Sequence, residues 1–163
     1  MTSYDIRPAA LTDAACIARH RVNMFRDMGQ VPSEQRASEL LSASTAAIHA
    51  ALDDGTYVGW LATTAEGAVI GGAGVHIKPQ LPRVTADGLR VASDVVPLVV
   101  NVYIEPEWRR RGVARALMRA VMNWATERGF DRVVLHASDE GRKLYESLGF
   151  EPTNEMRWDP APR

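Results

Sequence analysis

The sequence predicts an α/β domain in which helices flank one central sheet, and three observations lead to this fold class. The hydrophobic patterns follow the order strand, two helices, three strands, helix, strand, helix, strand. Residues 95–104 are apolar without clean alternation, which is typical of a central strand buried on both faces. Residues 111–128 bring Val113 and Leu117 onto one helical face. The 163 residues suffice for a sizeable core, so we expect a single domain over 1–163.

Proline, glycine and capping residues separate the elements predicted in the first half of the chain. Pro8 ends a short alternating segment, and Ser33 is a suitable N-cap for the second helix. Gly67 lies in a turn between two segments of strand character. The predicted elements here are a strand at 4–7, helices at 12–28 and 33–52, and strands at 56–64 and 68–78.

A long loop and a glycine cap mark the second half of the chain. Residues 79–94 carry Pro79, Pro82 and Gly88 with little periodicity, which predicts a long loop, and such loops are often functional. Gly129 is expected to end the preceding helix as a C-cap. The remaining predicted elements are strands at 95–104 and 131–136, helices at 111–128 and 139–148, and a last strand that begins at 149.

Composition and charge exclude several classes of function. The formal net charge of -1 argues against nucleic-acid binding, so the arginines within 109–115 suit a small anion better than a duplex. Cys16 is the one cysteine, which rules out an intrachain disulfide and a cysteine-based zinc site, and we expect no metal. The N-terminus lacks a signal-peptide core, and no apolar run reaches the roughly 20 residues that span a bilayer. We therefore expect a cytoplasmic protein without a membrane partner.

The most informative segment is the basic turn at 109–115, which joins the apolar strand to the amphipathic helix. The first amides of a helix have no intrahelical partner, and the helix dipole adds partial positive charge there. Phosphate is a natural ligand of such a place. Gly112 has no side chain where the backbone must approach the anion, and Ala114 has only a small one at the next such position. The segment therefore predicts a ligand that contains pyrophosphate.

Two common phosphate-binding motifs do not fit the sequence. The turn lacks the Gly-Lys-Ser/Thr end of a P-loop, which disfavours phosphoryl transfer. Residues 72–77 begin with Gly-Ala-Gly, the start of a dinucleotide fingerprint, but the third glycine is missing. Because this segment lies inside a strand pattern, we favour a glycine-containing strand over a dinucleotide site.

A second motif, LYESLGF at residues 144–150, begins 30 residues after Ala114. Together with the Arg-x-x-Gly-x-Ala pattern at 109–114, it resembles the GNAT superfamily of acetyl-CoA-dependent N-acetyltransferases. The two motifs cover roughly 95–150, and the order of elements extends the resemblance along the chain. The resemblance implies the GNAT fold, a mixed α/β (α+β) architecture. In this fold a mostly antiparallel sheet is flanked by about four helices, and a splay between the fourth and fifth strands holds acetyl-CoA.

The resemblance also implies which residues bind coenzyme A. Backbone groups at the end of the fourth strand would bind the pantetheine arm, and the basic turn would hold the pyrophosphate. Ser138 stands where many members have an asparagine that bonds the cofactor arm, and its hydroxyl can donate a similar bond. The implied cofactor-binding residues are Val102, Tyr103, Ile104, Arg109, Arg110, Arg111, Gly112, Val113, Ala114, Arg115, Ser138 and Tyr145.

Tyr145 matches the tyrosine that many GNAT members use as general acid. A phenol near the sulfur can protonate the departing coenzyme A thiolate, although packing beside Leu144 and Leu148 is the alternative. The general base stays open, because the strand at 98–103 carries no carboxylate. Glu105, His136 and His76 are candidates that would act through a water, and an amine that arrives neutral would need no base.

The resemblance places the acceptor opposite the cofactor, against the first two helices and the loop at 79–94. The implied substrate-side residues are Phe25, Arg26, Asp27 and Met28. Surface ion pairing is the alternative interpretation of Arg26 and Asp27. The expected reaction is acetyl transfer to a primary amine of a small molecule or peptide, by direct attack in a ternary complex. A catalytically silent acyl-CoA sensor is the alternative, and a homodimer is compatible with the family.

Overall fold

The computed structural model describes residues 3–92 and 95–160. Its helices and strands follow the predicted order through residue 147. Two short 3-10 turns, Leu11–Asp13 and Pro106–Trp108, precede the first and third helices. The strands are β1 (Tyr4–Pro8), β2 (Tyr57–Thr64), β3 (Val69–Pro79), β4 (Arg83–Val84), β5 (Val91–Ala92), β6 (Val95–Ile104) and β7 (Val134–Leu135), and the helices are α1 (Ala14–Asp27), α2 (Glu34–Asp54), α3 (Val113–Glu127) and α4 (Asp139–Ser147).

The main sheet has the strand order β1-β2-β3-β6-β7. Every pairing is antiparallel except that of β6 with β7, which is parallel. This parallel pairing joins Leu98 to Val134 and Val99 to Leu135, after which β6 continues to Ile104 paired with β3 but no longer with β7. In the main sheet, β6 and β7 are the fourth and fifth strands. The predicted mixed, mostly antiparallel sheet with a splay between these two strands is therefore confirmed.

Helices cover both faces of the sheet. On one face, Leu117 and Val121 of α3 pack against Trp60 and Val99. On the other face, Ile17 of α1 belongs to a separate buried cluster, whose remaining members are Ala14, Ala18, Ile48, Tyr57 and Leu61. The non-alternating run of β6 is a central strand, as the sequence predicts.

Local capping explains where the helices begin and end. The Ser33 side chain accepts a hydrogen bond from the Arg36 amide at 3.2 Å, which fixes the start of α2. Gly129, with a φ of 74°, lies just beyond α3, and its amide donates to the Thr126 carbonyl at 3.0 Å. Both predicted boundaries are confirmed to within a residue or two.

The predicted loop at 79–94 contains the short hairpin β4–β5, while residues 93 and 94 lie outside the described residues. Arg83 anchors the hairpin through two bonds to the Asp131 carboxylate, at 2.7 and 2.9 Å. Thr85 closes the turn by donating to Asp87 at 2.5 Å. The hairpin is therefore fixed to the start of the segment that leads into β7.

The last strand predicted from residue 149 is wrong. Gly149 turns the chain with a φ of 92°, and residues 150–160 form no strand. Pro152 lacks an amide for a ladder, and Met156 and Trp158 are 93% and 83% exposed. A strand pattern needs a partner edge and a surface to cover, and these side chains have neither. Among the described residues, no helix combines the length and apolar character needed to cross a membrane.

Candidate active site

The turn between β6 and α3 is shaped as an anion cradle. Arg110 and Gly112 both adopt the left-handed region, with φ of 60° and 81°. Helical bonding begins at the Ala116 amide, which donates to the Gly112 carbonyl at 3.0 Å, so the amides of residues 113–115 precede it. A Cβ placed on Gly112 meets only the Tyr4 hydroxyl at 3.9 Å, so the front of the turn is open. Free amides at a helix N-terminus fit a pyrophosphate.

Arg109 joins this turn to the end of α1. Its Nε donates to the Ile104 carbonyl at 2.9 Å, and its Nη2 lies 2.6 Å from Asp27 Oδ2. The guanidinium also lies over the Tyr103 ring, 5.5 Å from its centroid. Arg109 therefore has a carboxylate partner within the protein and holds the end of β6 in place.

Among the other arginines of the turn, Arg115 connects two helices, whereas Arg110 and Arg111 lie at the surface. Arg115 Nη2 donates to the Ser147 hydroxyl at 2.8 Å, which links α3 to α4. Arg111 lies over the Trp108 ring at 5.5 Å. Arg110 and Arg111 are both exposed at the front of the turn. Their charges are placed to add to the attraction of the backbone amides for an anion.

A β-bulge at Asn101 interrupts the pairing of β6 with β3. The register changes from Gly72 opposite Tyr103 to Gly74 opposite Val100, so one more residue lies on β6 than on β3. Asn101 has a φ of 58°, a region that asparagine tolerates better than most residues. The hydrophobic pattern does not predict this bulge, and its one local signal is a lone amide side chain within an apolar run.

The Asn101 side chain is buried and clamped from two sides. Its Oδ1 accepts a hydrogen bond from Arg21 Nη1 at 2.7 Å, and its Nδ2 donates to the Tyr57 hydroxyl at 3.4 Å. Burial raises the pKa of Tyr57 to about 12, so the phenol remains protonated. Residues 102–104, which follow the bulge, lie beyond the pairing of β6 with β7, at the splay.

Tyr145 lies on α4 at the edge of an open cleft. Its ring packs edge-on against Phe150, with centroids 6.0 Å apart. Burial raises the pKa of the Tyr145 phenol, which keeps it protonated at neutral pH. The cleft has a volume of about 540 Å³ and lies between the end of β7, α4 and residues 150–157.

Glu105 and His20 form a cluster at the end of β6 that the sequence analysis only half identified. His20 Nε2 lies 3.4 Å from Glu105 Oε1, and Arg19 Nη1 lies 3.6 Å from the same oxygen. His20 is buried, and its burial lowers its pKa to about 4, so the imidazole is neutral at pH 7. The Glu105 side chain is 21% exposed. No local pattern indicates His20, because its partner Glu105 lies far away in the sequence, directly after β6.

The other residues proposed for catalysis and cofactor binding have different surroundings. His136 is exposed, and its Nε2 lies 2.7 Å from Glu155 Oε2. Ser138 caps α4, because its Oγ accepts a hydrogen bond from the Gly141 amide at 3.2 Å. His76 is exposed on β3. Glu105 is therefore the base candidate with buried neighbours.

The predicted acceptor-side residues cluster at the end of α1, and two of them form ion pairs. Arg26 Nη2 lies 2.7 Å from Glu34 Oε2, which ties α1 to the start of α2. Asp27 binds Arg109, as described above. Phe25 lies beneath the Arg21 guanidinium, 4.8 Å from ring centroid to carbon, and Met28 is 41% exposed.

Known families provide an independent test of this arrangement. Residues 20–150 match the model of the acetyltransferase (GNAT) family. The chain belongs to this family. The match includes the turn before α3, the bulge at Asn101 and Tyr145, so these three features lie within the GNAT region.

Solved structures agree with this GNAT assignment over nearly the whole chain. A GCN5-related N-acetyltransferase from Ralstonia eutropha JMP134 is 30% identical with a TM-score of 0.84, over 98% of this chain and 100% of that one. A predicted acetyltransferase from Clostridium acetobutylicum, solved with acetyl-CoA, is 25% identical with a TM-score of 0.80, over 97% and 96%. One structural neighbour of this GNAT protein has thus been solved with acetyl-CoA.

Curated relatives include aminoglycoside N(6')-acetyltransferases. The type 1 protein of Stenotrophomonas maltophilia is 27% identical over 93% of this chain and 88% of its own length. The type 1 protein of Salmonella typhimurium is 33% identical over 39% of this chain, and the match spans 46% of its length. Family membership supports acetyltransferase activity for this GNAT chain.

Proposed function

We propose that this protein transfers an acetyl group from acetyl-CoA to a primary amine by direct attack in a ternary complex. The observation that carries the proposal is the open, left-handed turn at the start of α3, which lies directly after the splayed end of β6. Acetyl-CoA contains both groups that such a site suits, since its pyrophosphate needs amide donors and its arm can lie along a free strand edge. When bound, it supplies a thioester that is activated toward amines.

In this proposal, the turn binds the pyrophosphate of the cofactor and the end of β6 binds its pantetheine arm. The amides of residues 113–115 bind the pyrophosphate, and Arg110 and Arg111 add positive charge. Residues 102–104 offer backbone groups to the pantetheine arm, and backbone donors there can polarise a thioester carbonyl. Because both reactants are held in one cleft, proximity and orientation supply much of the rate.

Tyr145 acts as general acid in this proposal. Burial favours its protonated form, so the phenol is ready to give a proton to the departing thiolate. Glu105 is the proposed base, because it ends β6 and has a partly exposed carboxylate beside neutral His20. The carboxylate would accept a proton from the attacking amine through a water.

The relatives support an amine as the acceptor. The aminoglycoside N(6')-acetyltransferase of Stenotrophomonas maltophilia matches 93% of this chain, and its name indicates acetylation of an amino group. Family membership supports acetyl transfer, and the names of these relatives favour an amine over an alcohol or a thiol as the acceptor.

The test is amine-dependent release of free thiol from acetyl-CoA across a broad amine panel. Turnover by the wild-type protein supports the proposal, and Tyr145→Phe should lower kcat by about 10²-fold or more while the acetyl-CoA Kd stays within twofold. Arg36→Gln is a suitable control, because Arg36 pairs with Glu39 on the exposed face of α2. A fully active Tyr145→Phe removes Tyr145 as the acid.

The alternative is a catalytically silent acyl-CoA sensor, which the lack of a carboxylate within β6 favours. In that case, the protein binds acetyl-CoA with micromolar affinity, yet no amine in the panel releases thiol. Calorimetry on the same preparation measures that affinity and separates a sensor from a misfolded enzyme.

A further inference from the structure

One cation on α1 differs from its neighbours. The other charged side chains of this helix each have an oppositely charged partner, and their ion pairs are Arg19 with Glu105, Arg26 with Glu34, and Asp27 with Arg109. Within residues 3–92 and 95–160, Arg21 forms no ion pair: it donates a hydrogen bond to Asn101 Oδ1 and lies over the Phe25 ring, and neither group is charged. The two charges within each of these three ion pairs neutralise one another, so Arg21 contributes a net positive charge to this helix.

The surroundings of Arg21 suit an oxyanion. A guanidinium has five N–H donors in a flat fork, and Asn101 accepts from one nitrogen of Arg21. Phe25 supports one face of the group at 4.8 Å. The side chain is half-buried, and desolvation lowers its pKa, so water does not fully compensate for the missing carboxylate. A carboxylate or phosphate could bind the remaining donors in a bidentate manner.

The position of Arg21 connects this charge to the acceptor. Asn101, which it contacts, is the bulge residue of β6, and it directly precedes residues 102–104 at the splay. Arg21 also lies on α1, the helix whose end carries the predicted acceptor-side residues. An anionic group held by Arg21 would thus lie a short distance from an amine that reaches the splay.

We propose that Arg21 binds an anionic group of the acceptor, so the substrate is an amine that also carries a carboxylate or phosphate. This inference rests on the proposed acetyl transfer. An amino acid, a small peptide or an amino-sugar phosphate has the required combination of groups. Aminoglycosides carry several ammonium groups, and Arg21 would repel them. The specificity of this protein therefore differs from that of the aminoglycoside-acetylating relatives.

The first experiment compares pairs of amines in which one member carries a carboxylate or phosphate and the other has a neutral group at that position. Alanine is paired with alaninamide and glucosamine 6-phosphate with glucosamine, and kanamycin serves as the polycation. We expect kcat/KM to be about 10-fold to 100-fold higher for the anionic member of at least one pair. The pair that shows the preference identifies whether the group is a carboxylate or a phosphate. Equal values within both pairs, or a preference for kanamycin, would overturn the inference.

Variants connect the preference to Arg21. In Arg21→Gln the selectivity ratio should fall close to one, and Arg21→Lys, which keeps the charge without the fork, should be intermediate. Arg36→Gln makes the same charge change on α2 and should keep the wild-type ratio. Tyr57→Phe removes the other partner of Asn101 without a change of charge, so it should affect both members of a pair equally. A preference that survives in Arg21→Gln contradicts the assignment.

A binding measurement separates this inference from the proposed function. Calorimetry with the coenzyme A complex measures the Kd of each amine without turnover, and the anionic member should bind at least 10-fold more weakly to Arg21→Gln than to the wild type. If no amine is acetylated but this difference is found, the proposed function fails and the anion site stands. If amines are acetylated and the Kd values do not depend on Arg21, the proposed function stands and the anion site fails.

Discussion

The two glycines that flank α3 allow a matched test of the anion cradle. Gly112 precedes the helix with a φ of 81°, and Gly129 follows it with a φ of 74°. A Cβ at Gly129 has no neighbour within 4 Å, and one at Gly112 meets only Tyr4 at 3.9 Å, so neither substitution creates a serious overlap. Glutamate at either position therefore has the same backbone strain and the same charge, but at opposite ends of the helix.

The stability change should be similar in the two variants. A non-glycine residue in the left-handed region costs about 1–2 kcal/mol. At about 2–4 °C per kcal/mol for a protein of this size, Tm should fall by roughly 2–8 °C. The helix dipole favours the carboxylate at Gly112 and disfavours it at Gly129, by about 0.3–1 kcal/mol each. Gly129→Glu should consequently be the less stable of the two.

Coenzyme A affinity should fall in Gly112→Glu, although Gly129→Glu is the less stable variant. In Gly112→Glu a carboxylate occupies the front of the amide cradle, and loss of charge-assisted hydrogen bonds worth about 1.5–3 kcal/mol weakens binding by about 10-fold to 100-fold. Gly129→Glu should bind coenzyme A as the wild type does. Isothermal calorimetry measures the Kd, and thermal unfolding measures stability. Unchanged affinity in Gly112→Glu, or an equal loss in both variants, would refute the cradle.

Three further predictions concern the packing and ionisation around the site. Gly74→Ala would overlap the buried Tyr57 hydroxyl and should cost about 1–3 kcal/mol of unfolding free energy, whereas a loss below about 0.5 kcal/mol in urea titrations would show that Tyr57 moves freely. Burial lowers the His20 pKa from 6.5 to about 4, so stability is complete above pH 6.5 and falls by up to about 3 kcal/mol as pH drops toward 4. This fall occurs because His20 is protonated in the unfolded chain at pH values where it is still neutral in the folded chain. In His20→Asn, the loss of unfolding free energy between pH 7 and pH 4.5 should be smaller. Glu105→Gln should lower kcat about 10²-fold at pH 7 with an unchanged acetyl-CoA Kd, and an unaltered pH-rate profile would remove Glu105 as the base.

Elements with their own local signals were predictable from the sequence. The Ser33 cap, the Gly129 stop and the glycine-containing turn before α3 all depend on residues close together in the chain. The apolar run of β6 likewise indicates its central place, since both of its faces are covered. The segment after residue 149 shows the limit of this reasoning, because strand character alone does not supply a neighbouring strand.

Contacts over long sequence separations could not be predicted in this way. Arg21 and Asn101 are 80 residues apart, and the hydrogen bond between them depends on how α1 lies across β6. The partner of Arg109 was equally hidden, because Asp27 is 82 residues away. Arg109 is a predicted cofactor ligand and Asp27 a predicted acceptor-side residue, and their ion pair connects the two regions.

The sequence by itself determined the order of elements, the turn that suits a pyrophosphate and the resemblance to acetyltransferases, because each depends on local patterns. Only the tertiary structure decided which charges are paired. It buried His20 beside Glu105, placed a bulge at Asn101 and, within the part of the chain that the structure describes, left Arg21 without a carboxylate. The physical reason is that pairing and desolvation depend on distances between separate elements. Local patterns therefore indicate the cofactor, whereas the proposed contact of Arg21 with the acceptor depends on the folded chain.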